Sequence, residues 1–305
     1  MTSIRATPSA NTVSTPAGTW HLITGTARGR SHEVRGLPSQ DAVAHRVASA
    51  GRGLVVAVAD GHGHHRHFRS GTGSALAVQA ACHAAVGLVT VLGPLPGGAA
   101  GERAAAASRL TAEMIAARLP SDILRGWRAA VTRDVRADPL GPGDLDVLES
   151  RGDEVEVAYG STLMVAVLAA GWLVCVQIGD GDIVTVAADG TAGCPVPGDD
   201  NLDGLHTTSL CQPDALDSFR VGMRNLAAEP LCAVMLATDG YANAQASDPW
   251  QPGFAGDLAA LTASRDPAWF AAQVPGWARQ CASAEGSGDD TTIALLVAAE
   301  DQWTS

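Results

Sequence analysis

Four acidic turns hold the residues of this 305-residue chain best suited to chemistry. Asp60, Asp180 and Asp239 each sit beside a glycine at the end of a short apolar run, and Asp289-Asp290 stand immediately before another. A single Asp-Gly at a strand end is most often a tight turn, because aspartate bonds its own backbone and glycine accepts the sharp bend. Recurrence on separate runs points further. Carboxylates gathered at one edge of a sheet repel one another unless cations neutralise them, and hard oxygen ligands select magnesium or manganese. A glycine next to the acid lets the backbone turn so that a carbonyl such as that of Gly61 can reach a metal. Two ions held in this way would activate a water and clamp a phosphoryl group for in-line attack, with no side-chain nucleophile required.

The elements that must position these acids follow from apolar patterning. Residues 54–59 form a continuous valine-rich run, as a strand buried on both faces requires, and deliver Asp60-Gly61-His62-Gly63. Residues 231–238 repeat the design and end at Asp239-Gly240. Residues 161–168 and 172–178 read as a hairpin leading to Gly179-Asp180, residues 183–187 as its continuation, and residues 291–298 as a last strand after Asp289-Asp290. Two earlier strands are expected over residues 20–25 and 41–47. Alanine-rich segments with helical spacing cover residues 71–92 and 102–135, the second with a break expected near Pro120, and further helices are expected from Phe254 and over residues 267–281. Residues 94–98 and 138–144 have loop chemistry, and residues 194–215 read as an exposed, irregular flap that includes Asp199, Asp200 and Asp203.

Strands, two helices, strands, two helices and a closing strand lack the regular alternation of a parallel doubly wound fold. The expected class is α+β, a four-layer α-β-β-α sandwich of two antiparallel sheets flanked by helices. The expected organisation is a disordered leader over residues 1–18, rich in Ser, Thr, Pro and Ala, a single domain over residues 19–300, and a tail over residues 301–305.

Twenty Lys and Arg against thirty-two Asp and Glu give a net charge of −12, which disfavours nucleic acid and anionic lipid as partners. The longest apolar stretch, residues 163–176, is interrupted by Gly171 and falls short of the roughly 18 residues of a membrane span. No basic start followed by an apolar core marks a secretory signal. A cytoplasmic protein without a membrane partner, monomeric, is expected. Six cysteines without C-x-x-C spacing read as reduced, buried thiols.

The motifs resemble, in order, those of the metal-dependent type 2C protein serine/threonine phosphatases over roughly residues 20–298. Asp60-Gly61-His62-Gly63 is similar to the family's Asp-Gly-His-Gly block, and Gly160-Ser161-Thr162 with Gly179-Asp180 to its Gly-Ser-Thr strand and Gly-Asp turn. Ala237-Thr238-Asp239-Gly240 resembles the Ala-Thr-Asp-Gly block, and Gly288-Asp289-Asp290-Thr291-Thr292 the terminal Asp-Asn-x-Thr block, with Asp290 in place of the usual asparagine. Gln40-Asp41 resembles a bacterial branch with Gln-Asp where better-known members have Glu-Asp.

The resemblance implies two Mn²⁺ or Mg²⁺ ions held by Asp60 as the bridging ligand, the Gly61 carbonyl, Asp239 and Asp289, with Asp180 as a ligand to a third. It makes Asp41 a supporting acid and His62 the group that protonates the leaving alkoxide, a role suited to an imidazole titrating near neutral pH. For the residue that grips the substrate phosphate it offers Arg35 or His32, with Arg30 as a further alternative. The implied substrate is a phosphoprotein, with the enzyme opposing a serine/threonine kinase. Two other readings stay open: a non-catalytic regulatory or sensing module on the same fold, and a phosphatase of a small phosphorylated metabolite. His64, His65 and His67 match no zinc spacing and read as a solvated loop.

Overall fold

The computed structural model describes residues 11–15, 18–92, 101–199 and 207–299. Two antiparallel sheets are built from eleven strands among these residues. One runs in the order β1 (Asn11–Thr15), β2 (Gly18–Ala27), β11 (Thr291–Ala298), β10 (Leu231–Ala237), β7 (Asp182–Ala187), β8 (Ala192–Gly193). The other runs β3 (Ala42–Val47), β4 (Gly53–Ala59), β5 (Leu163–Ala169), β6 (Trp172–Ile178), β9 (Arg220–Asn225).

Strands buried on both faces explain the continuous apolar runs, because alternate residues feed two different cores. Along β4, Leu54, Val56 and Val58 face the opposite sheet, whereas Val55, Ala57 and Ala59 face helices α2 (Ser70–Leu92) and α3 (Glu102–Ala137). Along β11, Ala294 and Leu296 face the inter-sheet core and Ile293, Leu295 and Val297 pack under α6 (Gln251–Thr262) and α7 (Pro267–Cys281). Three apolar layers therefore separate four structural ones, the expected α-β-β-α sandwich. The hairpin between β5 and β6 closes on Ala170 and Gly171, at φ of 53° and 78°, the two left-handed positions that a two-residue turn demands.

The structure departs from the sequence reading at several elements. The expected disordered leader is corrected over residues 11–15: β1 pairs with β2 in register Val13↔Trp20, and Val13 reaches the inter-sheet core. The leader's residues 1–10 and 16–17, the loop at 94–98, Asp200, Asp203 and the tail at 301–305 lie outside the described residues. Pro120 does not break α3, which runs straight through it with Leu119, Pro120 and Ile123 buried. A proline removes one helical hydrogen bond, a loss that this packing outweighs. The loop expected at 138–144 instead starts α4 (Pro142–Glu149), where Asp144 accepts the Gly141 N–H at 3.1 Å and a proline occupies the first turn. The flap is irregular over its described part yet not wholly exposed, since Leu210 and Ala215 are buried with the α2–α3 core.

α2 is long and apolar enough to cross a membrane by length and composition; here one face packs on β3, β4 and α3. The two long helices meet at Trp127, fully buried in α3, whose indole N–H donates to the Gly73 carbonyl at 3.0 Å. Trp127→Ala is expected to cost about 3–5 kcal/mol, read as a lower urea midpoint with unchanged slope.

Candidate active site

The acids converge where strands from both sheets end. Asp60 leaves β4, Asp180 follows β6, Asp239 opens the short helix α5 (Asp239–Ala242) after β10, and Asp289 precedes β11. Their side chains line one cavity of about 830 Å³, together with His62, His32 and Arg35. Asp41 and Asp290 are not among the residues that line it.

Hydrogen bonds lock the turn after β4. The Asp60 N–H donates to Thr162 Oγ1 (3.1 Å), and the Asp60 carbonyl accepts from the Thr162 N–H (2.8 Å) and Ser161 Oγ (3.0 Å). The Gly61 N–H donates to the Gln40 carbonyl and the His62 N–H to the Gly160 carbonyl, both at 3.1 Å. The Gly-Ser-Thr segment thus splints the Asp60 turn, a role that nothing in its local pattern announced. On the other sheet, Thr238 Oγ1 donates to Asp41 Oδ2 and accepts the Thr292 N–H, each at 2.9 Å. Gly240 has to be glycine, because a Cβ there would lie 2.1 Å from the Asp290 carbonyl oxygen.

Electrostatics single out the same group. Burial, reinforced by Asp41 and Asp239, raises Asp60 well above the carboxylate range. Burial, then Asp180, raises Asp239 to about 6. Burial raises Asp41 to about 8, with Asp290 and Asp239 adding to it against hydrogen bonds from Thr238 and Thr292. Asp180 is raised as well, chiefly by burial.

Asp41 Oδ1 and Asp239 Oδ1 are buried without a hydrogen-bond partner, while Asn243 Nδ2 holds Asp239 Oδ2 at 3.1 Å. Orphaned buried carboxylate oxygens are expensive, and all-oxygen donors among like charges fit hard divalent cations. Among the described residues no three His, Cys, Asp or Glu side chains are drawn into one closed ligand set.

An acid raised in the folded state binds more protons folded than unfolded between its two pKa values, so stability falls as pH rises through that window. Buried histidines act oppositely below about 6.5, which leaves about 6.5 to 8 as the interval governed by the raised acids Asp41 and Asp60. The metal-free protein should lose thermal stability across this interval, and saturating Mn²⁺ should raise its melting temperature more at pH 8 than at pH 6.5. A metal-free melting temperature that is flat or rising over the interval contradicts the description of the cluster.

His62 differs from the expectation of an imidazole poised near neutrality. Burial, then His67 and Arg66, push it down to about 3. Its Nε2 meets Ser209 Oγ at 2.7 Å, a contact from the flap that sequence reasoning missed. The two phosphate candidates are placed differently. Arg35 is exposed at the mouth, its Nε donating to the Ser31 carbonyl at 3.1 Å. His32 is buried, and its Nδ1 meets Asp290 Oδ2 at 2.8 Å, so only Nε2 remains for another contact. Arg30 is paired with Glu33 at 3.1 Å and does not line the cavity.

Asp290 is the largest omission of the sequence reading. Beyond His32, its carboxylate accepts the Gly29 and Gln40 N–H groups, each at 2.6 Å. It pins helix α1 (Arg30–Arg35), itself unpredicted, and the Gln40-Asp41 segment to the start of β11. Only the paired acids in sequence hinted at this; the donors lie some 250 residues away.

Comparison with known proteins agrees with this architecture. The profile of the protein phosphatase 2C family matches residues 28–274. No curated protein sequence matches the chain. Among solved structures, a bacterial serine phosphatase superposes with a TM-score of 0.55 at 10% identity, covering 91% of this chain and 97% of that one. The catalytic domain of the serine/threonine phosphatase PstP, in complex with two manganese ions, gives 0.52 at 18% identity, covering 92% and 99%. PppA, a regulatory component of the type VI secretion system of Pseudomonas aeruginosa, gives 0.50 at 16%, covering 95% and 100%. At such identities these likenesses speak for the fold. With the profile match, fold and site define an enzyme of the protein serine/threonine phosphatase class. The chain belongs to the protein phosphatase 2C family.

Proposed function

We propose that this chain hydrolyses phosphoserine and phosphothreonine in proteins at a binuclear Mn²⁺ or Mg²⁺ centre, opposing a serine/threonine kinase in the cytoplasm. The observation that carries the reading is the convergence of Asp60, Asp180, Asp239 and Asp289 on one cavity, with buried, unpartnered oxygens on Asp239 and Asp41. Bound there, the two ions supply positive charge for the phosphoryl oxygens and acidify a water. Asp60, the Gly61 carbonyl, Asp239 and Asp289 would hold them, and Asp180 a third.

Asp41 Oδ1, buried and without a partner, is the acceptor left to orient water. Arg35 at the mouth suits the phosphate oxygens by its planar fork, and His32 offers Nε2. His62, held at Nε2 by Ser209, exchanges a proton through Nδ1, and the arrival of a phosphate dianion raises its proton affinity toward the range a leaving alkoxide needs. Hydrolysis of phosphopeptides that depends on added Mn²⁺ or Mg²⁺ tests the proposal. Turnover of small phosphoesters alone would favour a metabolite phosphatase, and no metal uptake by calorimetry at millimolar Mn²⁺ would favour a non-catalytic module.

A further inference from the structure

The cavity carries positive charge that handling of one phosphate does not use. The chain has twenty arginines and no lysine, and Arg69, Arg109 and Arg125 serve ion pairs with Asp134, Glu113 and Asp122 away from the cavity. Arg66 and Arg151 line the active-site cavity itself, on the wall formed after the Asp-Gly-His-Gly turn.

Arg66 is mounted rather than loose. His67 is buried, and its Nδ1 donates to the Val157 carbonyl, which fixes the tautomer and leaves Nε2 as a bare acceptor. The Arg66 Nε–H donates to that Nε2 at 3.1 Å, so the guanidinium is held by its inner nitrogen while its two terminal nitrogens remain for another partner. The nearest acid, Asp153, is 4.0 Å from Arg66 NH1, beyond the 2.7–2.9 Å of a charge-assisted bond. Arg151 is exposed and makes no ion pair among the described residues. Both arginines line the cavity together with His64, which places their charges beside one another at its edge. Against a net charge of −12, two arginines with one loosely associated acid form a local inversion of sign beside the reacting centre.

We propose that Arg66 and Arg151 form an anion subsite that selects phosphoproteins carrying a second anionic group, an acidic side chain or another phosphate, close to the phosphorylated residue. His67 is then the positioning residue of the subsite. This rests on the phosphatase reading above and adds to it the substrate class. The His-His-Arg-His run thereby acquires a purpose: a buried imidazole that aims a guanidinium. An acidic protein repels acidic substrates at long range, so an inverted patch at the mouth gives both attraction and register where they matter.

The test compares three phosphoserine peptides of one length on the Mn²⁺-loaded enzyme: one flanked by glutamine, one flanked by glutamate, and one with a second phosphoserine. The wild type should prefer the two anionic peptides by about tenfold in kcat/KM, mainly through KM, and 0.5 M NaCl should erode the preference. The double variant R66Q/R151Q should bring the ratio down to within about twofold of unity, whereas R151K should keep most of it. The glutamate and phosphate arms tell an acidic flank from a second phosphate. Binding of the same peptides to the Asp239→Asn protein, followed by fluorescence anisotropy, should show the same order without turnover. Equal wild-type kcat/KM for all three peptides, or a preference that survives R66Q/R151Q, overturns the subsite alone. Failure to hydrolyse any phosphopeptide overturns the phosphatase reading and the subsite with it.

Discussion

Asp239→Asn is expected to lower Mn²⁺-dependent phosphopeptide hydrolysis by about 10³-fold or more, about 4 kcal/mol of transition-state stabilisation. Asp239 stands at the first turn of α5, is buried for most of its surface, and has one oxygen held by Asn243 while the other has no partner. The amide is isosteric but carries no charge, and one of its two ends becomes a donor that cannot ligate a cation. The fold should survive, because the substitution relieves repulsion among Asp60, Asp180 and Asp289. A thermal melt of the metal-free variant at or above that of the wild type, with weakened Mn²⁺ binding in calorimetry, separates this outcome from misfolding. Activity within tenfold of wild type would remove Asp239 from the metal centre.

The second large effect is expected at Asp290. Replacing it by alanine strands three donors, the Gly29 and Gln40 N–H groups and His32 Nδ1, in a buried place. Unmade hydrogen bonds of this kind cost roughly 1–3 kcal/mol each, so a loss of about 3–5 kcal/mol is expected in urea denaturation. Asp290→Asn should cost less, about 2–3 kcal/mol, since an amide keeps one acceptor oxygen but sets its NH₂ against a donor. A double-mutant cycle between His32 and Asp290 should return a coupling of about 1–3 kcal/mol. Independence of the two side chains would show that their 2.8 Å contact contributes nothing.

These two residues also mark what the sequence could and could not disclose. Asp239 was legible because a buried strand has an unmistakable apolar signature and the acid stands at its end. The same logic located β6, α7 and β11 to the residue, with their ends at Ile178, Cys281 and Ala298. Asp290 was not legible, because its meaning lies in donors that only the tertiary structure brings to it. Short elements escaped for a related reason. Helix α1 spans six residues between Gly29 and a left-handed Gly36, too few for a helical period to declare itself. Strand β9 is half-buried along its whole length and so shows no alternation. Ser209 was hidden in an irregular segment whose composition resembles any loop, though its hydroxyl touches both His62 and the Ser161 backbone. His67 looked like part of a polar run and proved to be buried.

The acids do not belong to one sheet. Asp60 and Asp180 leave β4 and β6, whereas Asp239 and Asp289 belong to β10 and β11 across the inter-sheet core. The centre therefore straddles a seam, and cations drawn into it would act as rivets joining two slabs that are tied at that rim by the Thr238–Asp41 and Gln40–Asp290 hydrogen bonds. Amides flanking the seam, at the ends of β4 and β10, should exchange with deuterium fastest when metal is withheld and slow together when it is supplied, while the far ends of the same strands stay indifferent. Loading the site would in this way stiffen the very edge at which a substrate has to be received.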